Sequence, residues 1–128
     1  MSETDNLLFT SDHEWVRVIE DRVVIGITDY AQDALGDVVF VQLPTTDDVV
    51  SANSTLSEVE STKSVSDIYA PVSGRVVKVN DLLTNKPELV NSSPYGEGWI
   101  AEIEMSDPSE LETLLTYDKY LKLINNPG

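Results

Sequence analysis

The sequence predicts a mostly β protein, a β-rich sandwich or flattened barrel with a short internal helix and C-terminal helices. Three observations carry that prediction. Short runs of β-formers recur along the chain and are bounded by Gly, Pro, Asn, Asp or Ser. One internal stretch, from Thr28 to Gly36, has the start and stop signals of a helix. Asp107-Pro108-Ser109-Glu110 opens a helical tail, with a cap residue, Pro at the first helical position and an acid three residues after the cap. At 128 residues and 41% hydrophobic, the chain reads as a single domain that buries a modest core without metal or disulfide staples.

Taken in order, Leu7–Thr10 and Glu14–Ile19 read as strands separated by Ser11-Asp12-His13, and Glu20-Asp21 turns into a third strand, Arg22–Ile27. Thr28 caps a helix over Asp29–Leu35, where Asp29 suits the positive end of the helix dipole. Gly36 stands where a left-handed C-terminal residue is expected. Asp37–Leu43 alternates imperfectly, as a buried strand does, and ends at Pro44 and the acidic loop Thr45–Asp48. Val49–Ser54 turns into the strands Thr55–Glu60 and Val65–Tyr69, and Asn53 there tolerates positive φ. Gly74 breaks the chain before a strand over Arg75–Asn80, and Asp81–Val90 is a looser connection. Asn91–Trp99 is rich in turn formers, and packs Tyr95 and Trp99 over the core before a last strand, Trp99–Met105. In the tail, Leu111, Leu114 and Leu115 share one helical face, and a second helix runs from Tyr117 to Ile124.

Composition narrows the function. The formal net charge of −15 repels phosphate backbones and anionic membrane surfaces, and favours partners with basic or mixed docking faces. Met1–Asn6 is polar and acidic with no apolar signal core, and no apolar run approaches bilayer-spanning length, so the chain reads as cytoplasmic. No segment looks like a dedicated dimer interface, and a monomer is expected. The absence of Cys removes disulfides, a thiolate nucleophile and Cys-based metal sites. His13 is the single histidine and reads as a structural or surface residue; a hydrolase built on it has little support. No phosphate loop and no metal-binding His pair is present. Glu58 and Glu60 lie on one face of a strand, which a solvated face explains as well as acid catalysis does. The chain reads as a carrier and not as a catalyst.

The segment Glu58–Gly74 is where such a carrier would hold its cargo. Ser61, Thr62 and Ser64 separate its two strands, as at a hairpin tip, and Lys63 sits among them with its amine toward water. From Val23 to Gly74, Lys63 is the only Lys or Arg, set among eight Asp and Glu. A lone exposed lysine on a turn is ordinarily a solubility residue. The wider sequence argues otherwise. Glu60-Ser61-Thr62-Lys63 followed by Ser66-Asp67-Ile68-Tyr69-Ala70-Pro71-Val72-Ser73-Gly74 resembles the lipoyl-attachment segment of the glycine cleavage H-protein family. His13-Glu14-Trp15-Val16, Gly26–Gln32, Gly36–Val41 and Asn91–Trp99 add matches in the family's order, roughly from residue 7 to 115. Two departures are conservative: Thr62 replaces a common Val, and Asn53 stands where the family usually has Gly.

The resemblance implies the barrel-sandwich hybrid fold of lipoyl and biotinyl domains, with a lipoyl-binding core at about 22–104 and a helical tail at about 107–125. It implies lipoic acid joined to Lys63 as N6-lipoyl-lysine. It implies four kinds of partner: the pyridoxal-phosphate-dependent glycine decarboxylase (P-protein), the tetrahydrofolate-dependent aminomethyltransferase (T-protein), dihydrolipoamide dehydrogenase (L-protein) and lipoate-attaching enzymes. Positions matching the cleft that shelters the family's loaded arm are Glu14 and Asp67, with Asp12 a weaker third. Open alternatives are a lipoyl donor to 2-oxo-acid dehydrogenases, or a lipoyl domain of another complex. A biotin carboxyl carrier usually flanks its lysine with Met on both sides; here the flanks are Thr62 and Ser64.

Overall fold

The computed structural model describes residues 7–125. Nine strands form two sheets: β1 (Leu8–Phe9), β2 (Glu14–Ile19), β3 (Arg22–Ile27), β4 (Val38–Gln42), β5 (Val49–Val50), β6 (Thr55–Ser61), β7 (Val65–Tyr69), β8 (Gly74–Val79) and β9 (Ala101–Met105). The larger sheet has the order β1-β2-β3-β9-β8-β5 and the smaller one β4-β6-β7, with antiparallel pairing throughout. Four α-helices accompany them: α1 (Asp29–Leu35), α2 (Leu82–Asn85), α3 (Leu89–Ser92) and α4 (Tyr117–Asn125). This is the expected mostly β architecture of two packed sheets with an internal helix and a helical tail.

The main core lies between the sheets. Val23, Ile25 and Ile27 of β3 meet Val41 of β4, Val59 of β6 and Ile68 of β7, all buried. Val24 of β3 faces the other way, into a second cluster with Phe9, Trp15 and Tyr120 of α4. A strand buried on both faces reads as a continuous apolar run, and Val23-Val24-Ile25 is one. Tyr95 and Trp99 pack against this second cluster, as the loop's composition suggested.

Several boundaries differ from the sequence reading. Asp81–Val90 holds α2 and the start of α3, which runs on through Ser92 into the stretch read as a turn; each is a single turn without a side-chain cap, so neither period nor cap could announce them, and buried Leu83 and Val90 pin them down. The strand β5 is only two residues long, paired at the sheet edge with Gly74 and Arg75. The last strand starts at Ala101, two residues later than Trp99. The first tail helix is a 3₁₀ segment, Pro108–Thr113, with the expected Asp107 cap on Ser109 N–H at 3.1 Å. Leu111, Leu114 and Leu115 do not share a helical face, and Leu111 alone of the three lies within the 3₁₀ segment. Leu111 and Leu114 pack on the main core, whereas Leu115 joins the second cluster. The cause is backbone pairing: Leu115 exchanges hydrogen bonds of 2.7 and 2.8 Å with Phe9, and the chain extends to make them.

Two predicted turns are as expected in kind. Asn53 has φ 72°, and Thr28 Oγ1 accepts from Ala31 N–H at 3.2 Å to cap α1. Gly36 closes α1 with φ 84° but ψ −160°, an extended mirror-region geometry open essentially to glycine alone. No helix among the described residues is long and apolar enough to cross a membrane.

Candidate functional site around the Lys63 turn

Lys63 sits on the turn between β6 and β7, exposed, at the end of the smaller sheet. Ser61 shapes the turn. Its N–H donates to Ser64 O at 2.8 Å, and its Oγ accepts from the N–H groups of Lys63 and Ser64, both at 3.1 Å. A hydroxyl that takes two successive backbone donors stands in for the missing ladder partners of the tip. Thr62 N–H then donates to Asp37 O at 3.0 Å, which joins the tip to the chain between α1 and β4. No ion pair among the described residues involves Lys63, so acylating its amine would break none. The lysine stem lies against Gly36, where an added Cβ would stand 3.1 Å from Cε.

A mostly apolar groove of about 240 Å³ lies between α1 and β7. Ile27, Ala31, Leu35 and Ile68 wall it, with Ser66 and His13 as polar members. Leu35, which lines the groove, directly precedes Gly36 in the chain. The ring of His13 is held by the tail. Its Nδ1 lies 2.9 Å from Tyr120 Oη, which is also 2.7 Å from Thr28 Oγ1. Partial burial lowers the His13 pKa against the opposing influence of Asp12. His13 is thus a structural histidine that also borders the groove.

Glu14, the next residue, is almost wholly buried at 1% exposure. It opens β2, and its carboxyl accepts from Thr10 Oγ1 at 2.6 Å and from Tyr69 N–H at 3.1 Å. Burial outweighs those two hydrogen bonds and raises its pKa to about 7, with the negative charge of Asp12 pushing the same way. Glu14 and Asp12 line a separate cleft of about 420 Å³ between the Thr10–Asp12 turn, Ala70-Pro71 and the tail. The two hollows thus meet the chain at consecutive residues.

Asp67 is placed differently. It is exposed on β7, opposite Glu58 of β6, and lines neither hollow, whereas its neighbours Ser66 and Ile68 line the groove. The acidic neighbour of Glu14 is Asp12. Ser61 and Gly36 escaped the sequence reading as site residues. A serine at the first position of a turn was the available signal for Ser61; Gly36 carried only a helix-stop signal, because its approach to Lys63 is a tertiary contact.

Comparison with known proteins covers nearly the whole chain. The family model described as Glycine cleavage H-protein matches residues 7–127. The glycine cleavage system H protein of Coprothermobacter proteolyticus is 52% identical over 125 residues, covering 97% of this chain and 98% of that protein. Its counterpart in Bacillus cereus is 50% identical over 125 residues, with 98% of both covered. Among solved structures, a glycine cleavage system H protein from Mycobacterium marinum superposes with a TM-score of 0.88 at 38% identity, covering 94% of this chain and 98% of the other. A fold, a lysine turn and a set of separate motifs that agree over this length have one common source: the chain belongs to the glycine cleavage H-protein family.

Proposed function

We propose that this chain is the non-catalytic lipoyl carrier of a glycine cleavage system, with lipoate held in amide linkage on the Nζ of Lys63. The observation that carries the reading is the Lys63 turn: an exposed amine with no ion-pair partner among the described residues, on a tip braced by Ser61 and by Asp37 O, in a chain of this family. The bound lipoyl group would supply a dithiolane that receives the aminomethyl group of glycine at the P-protein, yields its methylene at the T-protein and is reoxidised at the L-protein. This chain's own residues attach, aim and shelter it. Tethering makes each visit to a docked active site effectively intramolecular.

The groove between α1 and β7 is the natural seat for the apolar part of the arm, since Ala31, Leu35 and Ile68 can exclude water from it. Glu14, which follows His13 in the chain and lines the neighbouring cleft rather than the groove itself, is the residue we assign to an ammonium. A carboxyl that titrates near neutrality ionises when a cation arrives, so amine binding would release a proton and tighten as pH rises through about 7. Asp12 adds charge on the same side, and Asp67 has the weaker claim because it lines neither hollow. We read the protein as a monomeric, cytoplasmic, single carrier domain that is also a substrate for lipoate-attaching enzymes. The relay and other-complex alternatives are not favoured, because the named relatives are H proteins of glycine cleavage.

Reconstitution tests the reading. Lipoylated protein mixed with P-, T- and L-proteins, glycine, tetrahydrofolate and NAD should reduce NAD at a rate that saturates with this chain. The Lys63→Arg protein should give no rate above background. Equal rates from both proteins would dismiss the assignment.

A further inference from the structure

We infer that Asn91 is a positioning residue for the lysine turn, acting through the Gly36–Asp37 corner; the inference rests on the carrier reading of Lys63. Among the described residues, the hydrogen bond from Thr62 N–H to Asp37 O is the one that residues 62–64 make outside their own hairpin. The Lys63 stem rests on the adjacent Gly36. Both contacts of the tip therefore fall on a two-residue corner between α1 and β4.

That corner is an irregular connection, and one side chain from α3 holds both its ends. Asn91 Nδ2 donates to Gly36 O at 2.9 Å, and Asn91 Oδ1 accepts from Val38 N–H at 2.8 Å, so the two bonds bracket Asp37. A third, from Nδ2 to Gln32 Oε1 at 2.9 Å, anchors the amide to α1. The chemistry of the position is narrow. It needs a donor and an acceptor side by side at one reach: Asp lacks the donor and Ala lacks both. The neighbouring Val90 is fully buried and fixes α3 beneath the corner.

The consequence concerns how often the lysine is correctly aimed. If the corner loosens, the turn samples more orientations and only a fraction of molecules present Lys63 productively. An enzyme that selects the competent orientation then shows a raised KM in proportion, with kcat retained once the complex forms. A merely structural asparagine would lower stability and leave this split untouched.

The test uses the full-length unlipoylated chain and its Asn91→Ala and Asn91→Asp variants. Amide hydrogen exchange at Thr62 is followed by NMR, with Val76 in β8 as an internal reference. Lipoylation kinetics are measured with a purified lipoate–protein ligase, lipoate and ATP. Asn91→Ala should exchange Thr62 at least about tenfold faster relative to Val76, and should raise KM for the carrier about tenfold with kcat held within about twofold. Asn91→Asp keeps the acceptor for Val38 N–H, so it serves if Asn91→Ala does not fold, and it should shift Thr62 in the same direction. Wild-type exchange at Thr62 in a folded variant, or a loss confined to kcat, overturns the proposal. Failure of the wild-type chain to be lipoylated would refute the carrier reading instead, while the exchange data would still judge the clamp.

Discussion

Glu14 shows how one residue can join stability to function. Its carboxyl is buried, accepts from two donors among the described residues and sits beside the charge of Asp12, so the neutral form is favoured in the folded protein up to about pH 7. Because the folded pKa is raised from 4.5, the stability this group contributes is complete below pH 4.5 and is lost as pH climbs through about 7. Glu14→Gln removes that dependence. The stability of Glu14→Gln relative to wild type should therefore rise between pH 4.5 and 7, by up to about 3 kcal/mol, and level off above. Urea unfolding of both proteins across that range measures it, and a gap independent of pH would contradict the account. The sequence marked Glu14 only by family resemblance. No spacing rule tells that the first residue of a strand buries its carboxyl, because Thr10 and Tyr69, which make that burial tolerable, arrive from two other segments.

At the scale of elements, the tail is part of the site's support. Tyr120 of α4 stacks on Phe9 with ring centroids 4.8 Å apart, and its hydroxyl reaches both Thr28 and His13. Burial pushes the Tyr120 pKa up to about 12, so it stays a neutral hydroxyl at working pH. The bonds tie α4 to the N-cap of α1 and to a residue that lines the groove. Tyr120→Phe keeps the stacking and loses the hydroxyl, so unfolding free energy should fall by about 1–2 kcal/mol, with Tm lowered by a few degrees. A melting point equal to wild type would remove the network from the account. The sequence announced α1 and the strands well, since caps, Gly and β-former runs act locally. It missed α2, α3 and β5, whose lengths are below any period, and it misjudged the leucines of the tail because the Phe9–Leu115 pairing is nonlocal.

Across the whole molecule, charge and shape serve the same end. The chain carries a formal net charge of −15, and on β6 and β7 the acids Glu58 and Asp67 face each other near the lysine turn. A net charge of this size favours solubility and would steer the protein toward partners with basic docking faces. Association with the aminomethyltransferase should consequently slow by on the order of tenfold between about 0.02 and 0.5 M salt, as stopped-flow would show; a flat salt profile would refute electrostatic steering. The sheet pair, the turn braced by Ser61 and the corner held by Asn91 all place one amine at one end of the molecule. On the carrier reading, this amine holds lipoate. Peptide mass spectrometry of the protein from lipoate-replete cells, beside Lys63→Arg, tests it most directly. The Lys63 peptide should carry a lipoyl mass increment, and the mutant should carry none anywhere. An unmodified Lys63 under conditions that lipoylate a control carrier would contradict it.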